Sequence, residues 1–156
     1  MTTTTISPAR RPRPAPRAIP AGEHVFGLPL DHGPHAPATA RHAARPVLAS
    51  WGLDEDQIYD TLLVISELVT NAVTHALPPV TLHLHATADG SGHARVHVSD
   101  GGPQPASTPT SWAATRPDDE HGRGDTIITA LAHHTGTSPG PSPDGLIDHW
   151  ADLTAA

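Results

Sequence analysis

The chain has 156 residues, neither cysteine nor lysine, and a formal net charge of −7. That length suits one domain with one sizeable core; the missing cysteines exclude disulfides, thiolate metal sites and cysteine nucleophiles, and the missing lysines exclude a P-loop and Schiff-base chemistry. The charge is split: residues 1–50 set six arginines against Glu23 and Asp31 (+4), and residues 51–156 set three arginines against fourteen acids (−11), so an acidic folded region argues against a nucleic-acid partner.

Residues 1–22 read as a disordered leader rich in proline and arginine, and residues 23–156 as the domain. Residues 23–30 (EHVFGLPL) form a short strand whose Gly27 and Pro29 suit a sheet edge. In residues 38–51, Ala40, Ala44, Val47, Leu48 and Trp51 fall at helical spacing, with Gly52 as the stop. A second helix over about 56–76 has Asp54, Glu55 and Asp56 at its start, where the helix dipole favours negative charge, and Pro78 and Pro79 at its end. Its Ile58, Leu62, Ile65, Val69, Ala72 and Ala76 make one apolar stripe. On roughly the opposite side Glu67, Asn71 and His75 rise in a column one turn apart, flanked by Val64 and Leu68, so this side is expected to line a partly buried site.

Residues 80–86 and 94–99 alternate apolar and polar and predict a hairpin around the turn at 89–92. His83 and His85 share a strand face with His97 opposite; they could bind Zn²⁺, but no acid or thiol completes the set, and solvated imidazoles are the simpler reading. A segment rich in Gly, Pro, Ser and Thr follows Asp100, long enough to be a lid, over about 103–121, or to be disordered. A third helix is predicted over 125–134, carrying Ile127, Ile128, Leu131 and Ala132, then another Gly/Pro stretch and a final strand over 145–153. No window approaches the roughly 18 apolar residues of a membrane span and no signal peptide begins the chain, so the expectation is a soluble, cytoplasmic protein without a membrane partner.

Three sites need a common explanation: the column on the second helix, the strand end VSDGGP, and HGRG at residues 121–124 before the third helix. An aspartate buried at a strand end accepts from an exocyclic amine, and adjacent glycines admit a flat ring, which together read an adenine. Glycines before a helix leave its first amides for phosphate, aided by Arg123, although a surface ion pair is the alternative for that arginine. An asparagine oxygen is a hard ligand for Mg²⁺. Together they suit a magnesium–ATP complex.

With these sites in this order the chain resembles the GHKL-type ATPases, the fold shared by type II topoisomerases, histidine kinases and certain chaperones. Within them it is most similar to the anti-sigma factor serine/threonine kinases of actinobacteria. SELVTNAVTHA looks like the N box, VSDGGPQP like the first glycine box and HGRGDTIITALAHHTG like the second; the helix ending in Trp51 and Gly52 and the terminal strand around Trp150 extend the likeness over about residues 24–153. The resemblance implies an α+β two-layer sandwich, a mixed but mainly antiparallel sheet with helices on one face, known as the Bergerat fold. It implies that Asn71 ligates Mg²⁺, that Asp100 bonds the adenine amine directly or through water, that Gly102 contacts the purine, and that His121, Gly122, Arg123 and Gly124 face the phosphates. Glu67 would orient or deprotonate the attacking hydroxyl. His75 matches a nucleotide-site histidine of the family, with packing at the helix end as the alternative.

The implied partners are ATP and a protein, either an anti-anti-sigma-like substrate or a sigma factor, with homodimerisation expected by resemblance. There are departures. Asp125 stands where the family usually has an apolar residue, either as a helix cap or as a charge repelling the γ-phosphate; Asp118, Asp119 and Glu120 add negative potential beside His121; and the segment Leu146, Ile147, Asp148 and His149 lacks the basic residue expected just before Trp150. The leading function is thus an ATP-dependent protein kinase, and the alternatives are a nucleotide-binding regulatory module that transfers no phosphate and a domain that binds no nucleotide.

Overall fold

The computed structural model describes residues 22–88, 91–104, 127–139 and 145–153. In chain order the elements are β1 (Glu23–Leu30), α1 (Ala36–Ser50), α2 (Glu55–His75), β2 (Val80–Thr87), β3 (Ala94–Asp100), β4 (His134–Pro139) and β5 (Ile147–Leu153). The strands form one sheet in the order β1-β2-β3-β5-β4, and every ladder among the described residues is antiparallel. This is the expected α+β sandwich. Among the described residues no helix is long and apolar enough to cross a membrane.

Alternation decides which sheet face the helices cover. Val80, Leu82, Leu84, Ala94, Val96, Val98, Ala151 and Leu153 are buried on the inner face, where α2 lies over β2, β3 and β5 while α1 packs on α2 and β1. The α2 stripe meets them, with Ile58, Ile65, Val69 and Ala72 buried, and α1 contributes Leu48 together with Ala40 and Ala44, whose small side chains let the helix lie close to its neighbours. Val64 and Leu68, which flank the polar column, are buried as expected.

Local chemistry fixes the helix ends. Asp54 is the N-cap of α2: its Oδ1 accepts from the Gln57 backbone N–H at 2.8 Å while Gln57 Oε1 accepts from the Asp54 N–H at 2.9 Å, a reciprocal capping box. α1 closes at Trp51, and Gly52 takes φ +85, a left-handed turn that suits glycine. Trp51 then stacks on His24 of β1 with ring centroids 5.4 Å apart.

The structure corrects the reading of residues 132–139. Of the third helix predicted over 125–134, the described residues are helical at 127–131, where Ile128 is buried, and His134–Pro139, expected as the end of that helix and a Gly/Pro loop, is the edge strand β4. Its Gly136 lies beneath the Trp150 ring, since a Cβ there would come within 2.5 Å of Trp150 Cζ2. A residue that looks like a strand breaker is what lets the indole lie flat on β4.

The outer face is polar but not simply solvated. Arg95 holds Asp152 in a bidentate pair, with Nη2 to Oδ2 at 2.6 Å, and its guanidinium sits 5.4 Å from the Trp150 ring centroid. His97 Nδ1 lies 2.7 Å from Asp148 Oδ2, and the His85 and His97 rings are 5.3 Å apart. Among the described residues no group of three or more His, Cys, Asp or Glu is placed to hold a metal ion. Burial instead pushes the His83 and His85 imidazoles below their ordinary value, with His97 adding to the effect in both. Burial alone would raise the Asp152 carboxyl, but the hydrogen bond and charge of Arg95 outweigh it and hold it low.

Two outcomes are expected. Asp54→Ala removes one half of the capping box and lowers unfolding free energy by about 1 kcal/mol, read as a lower urea midpoint at unchanged slope. Because the folded-state values of His83 and His85 lie below the ordinary 6.5, the unfolded chain binds protons more readily, and their contribution to stability falls as pH drops below that value. A His83→Gln/His85→Gln double variant therefore loses less melting temperature than the parent between pH 7 and pH 5.

Candidate functional site

The site is built where the C-terminal end of α2 meets the C-terminal end of β3. A helix end leaves carbonyls without intrahelical partners, and here the segment after β3 takes them up. Gln104 N donates to the His75 carbonyl at 2.9 Å, while the Ala76 carbonyl accepts from Gln104 Nε2 at 2.9 Å and lies 2.7 Å from His32 Nε2. Leu77 N donates to the Gly102 carbonyl at 2.8 Å, Gly101 N donates back to the Leu77 carbonyl at 2.7 Å, and Ala76 bridges to Pro103. Helix end and strand end are one hydrogen-bonded unit.

Asp100, the last residue of β3, is 1% exposed. A buried carboxylate must be hydrogen-bonded to be tolerated. Oδ1 accepts from Gly102 N at 2.8 Å, closing a tight turn on the side chain itself. Oδ2 is buried and accepts no hydrogen bond from the described residues. His149 Nε2 lies 2.9 Å from it, an ion-pair distance without hydrogen-bond alignment.

The two glycines that follow have different jobs. A Cβ on Gly101 would run into the Pro78 carbonyl oxygen, so its missing side chain serves the packing of the chain on itself rather than the approach of a ligand. Gly102 has φ +91, a left-handed turn that suits glycine, and among the described residues nothing lies within 4 Å of its Cβ position. That sharpens the expectation, which had both glycines admitting a ring.

On α2, Glu67 and Asn71 are half-buried and His75, the last helical residue, is exposed. Glu67 and His75 each have interaction partners in the structure. Thr74, missed by the sequence reading, stands seven residues after Glu67 and so points within about 20° of it. Its hydroxyl is buried without a partner among the described residues, the only other such side-chain atom besides Asp100 Oδ2. Unsatisfied buried polar atoms are few in native domains and call for an explanation wherever they occur; here both belong to the two elements that meet at this end. His121, Gly122, Arg123, Gly124, Asp125 and the lid segment from residue 105 onward lie outside the described residues, as does the leader up to residue 21.

The donor set fits a magnesium-bound adenine nucleotide in three respects. A buried carboxylate oxygen that accepts no hydrogen bond from the described residues can receive an exocyclic amine, the Cβ-free Gly102 backbone after it can lie against a flat ring, and a half-buried asparagine on the adjoining helix offers a hard oxygen. His32, Gln104, Thr137 and His149 also belong to this end and were not singled out as site residues. Their signals in the sequence were weak, because each acts across a ladder or turn whose register only the folded chain defines.

No curated protein matches the chain. Among solved structures, the crystal structure of the RsbU and RsbW domains of Rv1364c from Mycobacterium tuberculosis is similar, with a TM-score of 0.60 and 24% sequence identity over 85% of this chain. The match takes in 33% of that structure's chain, so this protein spans about a third of its length, and the likeness is one of fold. The family model of the histidine kinase-like ATPase domain matches residues 31–143, a span that runs from the residue after β1 through α1, α2, β2, β3 and β4 and contains Glu67, Asn71 and Asp100. With well over half of its length inside that match, the chain belongs to the histidine kinase-like ATPase domain family.

Proposed function

We propose that this protein binds ATP with Mg²⁺ at the junction of α2 and β3 and transfers the terminal phosphoryl group to a serine or threonine of a protein partner, in the manner of anti-sigma factor kinases. The observation that carries the nucleotide reading is the buried Asp100 oxygen left open beside Gly102. Family membership supports the same ligand class, and the presence of an RsbW domain in the similar structure supports a regulatory protein partner, an anti-anti-sigma-like substrate or a sigma factor.

In this reading Asp100 accepts the base amine and the Gly102 backbone lies against the ring. Asn71 supplies the protein oxygen for Mg²⁺, which when bound neutralises phosphate charge and fixes phosphate geometry. Glu67, one turn before Asn71 on the same side of α2, orients the attacking hydroxyl and takes its proton, general-base help typically worth about 10²- to 10⁴-fold in rate. Gly122, Arg123 and Gly124, with His121 before them, hold phosphate oxygens by backbone amides and guanidinium charge, and His75 flanks the nucleotide at the helix end. Residues 23–156 form the working domain, acting in the cytoplasm, and residues 1–22 are a separate leader.

The acidic run Asp118 to Glu120 and Asp125 favour a second reading, in which nucleotide is bound for regulation and phosphoryl transfer does not occur. Two measurements separate these readings. At ATP–Mg²⁺ ten times Kd, ligand stabilises the fold by about 1.4 kcal/mol, a rise in melting temperature on the order of 5 °C, and Asn71→Ala abolishes the Mg²⁺-dependent part of the rise. No rise at any concentration refutes nucleotide binding. In a phosphotransfer assay with radiolabelled ATP and candidate partners, Glu67→Gln lowers the rate at least about a hundredfold while keeping the melting-temperature rise. Nucleotide binding without transfer to any partner by the parent protein leaves the regulatory module as the answer.

A further inference from the structure

We propose that His149 is a specificity-determining residue of the base site: its imidazole is an internal donor that competes with the exocyclic amino group of a purine for Asp100 Oδ2. The proposal rests on the reading of Asp100 as the acceptor for that amine.

Register puts the two groups together. Asp100 pairs with Ile147 and Val98 pairs with His149, so His149 is the diagonal neighbour of Asp100 on the same, inner face of the sheet. Its Nε2 stands 2.9 Å from Oδ2. The other ring nitrogen is held from the far side: His149 is directly opposite Thr137 of β4, and Thr137 Oγ1 lies 3.1 Å from Nδ1. When the threonine hydroxyl donates to Nδ1, the imidazole proton is left on Nε2, aimed toward Asp100. The carboxylate oxygen is therefore flanked by a donor that is close but not aligned, and a small rotation of the half-exposed ring closes the bond.

Two states of Asp100 follow. With the ring closed, Oδ2 is satisfied from within; with the ring turned away, Oδ2 is open to the base. A ligand amine that rescues an orphaned buried acceptor gains the whole penalty of leaving it unmade, whereas one that displaces an internal donor gains only the difference between two similar bonds. His149 thus lowers the premium on the amine and loosens discrimination among purines. A strand residue with no donor would sharpen it.

The test compares ATP with purine riboside 5′-triphosphate, which lacks the 6-amino group, by calorimetric titration of the full chain in the presence of Mg²⁺. The ratio of their Kd values measures what the amine is worth. In the parent protein the ratio exceeds one, and Asp100→Asn removes the preference. His149→Val, which keeps a strand-forming side chain and deletes the donor, raises the ratio about tenfold, each factor of ten corresponding to about 1.4 kcal/mol; His149→Ala serves the same comparison if valine is not tolerated. A general loss of packing would change both affinities together and leave the ratio alone. A ratio above one in the parent that stays the same or falls in the His149 variants overturns the role of His149 while the reading of Asp100 stands. A ratio of one in the parent, or no binding of ATP, overturns the reading of Asp100 and the proposal with it.

Discussion

The constraint on which the structure turns is that one carboxylate, Asp100, is buried at the point where a helix ends. Its Oδ1 is secured by Gly102 N only if the chain turns sharply after β3, and that turn is held by the exchange of hydrogen bonds between Leu77, Gly101 and Gly102. The same segment takes up the Ala76 and His75 carbonyls at the end of α2. Gly101 has no freedom here, because any side chain would strike the Pro78 carbonyl. Loosening the turn would orphan helix carbonyls and expose the carboxylate together, so the position of Asp100 relative to Glu67 and Asn71 is set by these backbone bonds as well as by the packing of α2 on β3.

A sheet covered on one face must handle the other. The inner face is aliphatic, with Val96, Val98, Leu82 and Leu84 against α2, and needs no directional bonds. The outer face carries Arg95, Asp152, His97, Asp148, His85, Glu23 and Trp150 in mutual contact, so its charges are paired along the surface rather than simply hydrated. These pairs are part-buried and border solvent, where the gain from each pairing is offset by the cost of desolvating its charges. Their consequence is placement: Arg95 binds Asp152 and covers Trp150, and Trp150 in turn lies on Gly136, which couples β3, β5 and the edge strand β4 from outside. β5 carries His149 on its inner face, so the outer contacts also fix the strand that borders Asp100.

Much of this was legible in the chain. The spacing of Ile58, Ile65, Val69 and Ala72 located α2 and its buried stripe, Val64 and Leu68 showed that Glu67 and Asn71 would be half-buried though not that His75 at the end of the column is exposed, and the alternation of Val80 to Leu84 and of Val96 and Val98 gave the central hairpin. These signals are local, arising from one side chain after another along a single element. β4 was not legible, because Gly136 and Pro139 mark a loop unless Trp150, fourteen residues on, is known to need a flat surface. The task of Gly101 was hidden for the same reason, since its neighbour Pro78 lies across the turn. At the site, Asp100 announced itself by its place before two glycines, but its open oxygen, the buried Thr74 hydroxyl and the approach of His149 depend on register between strands and on what surrounds each atom. A ladder's register is a property of pairs, and a pattern read along one strand does not contain it.

The open oxygen of Asp100 has a further physical meaning. A buried acceptor left without any donor costs a fold about 1–3 kcal/mol, a cost that the His149 ring, 2.9 Å from Oδ2, removes when it turns into alignment. Replacing Asp100 with a hydrophobic residue would remove that penalty but also remove the acceptor that holds Gly102 N, and with it the turn that closes the end of α2. One carboxylate therefore has its two oxygens in different settings: Oδ1 completes the fold, and Oδ2 accepts no hydrogen bond from the described residues. Since the first oxygen is tied to the Gly102 N–H, the second is held at a fixed point, 2.9 Å from His149 Nε2. A ligand that meets it finds the entropy of positioning already spent in folding, which is the condition under which a single hydrogen bond can discriminate one base from another.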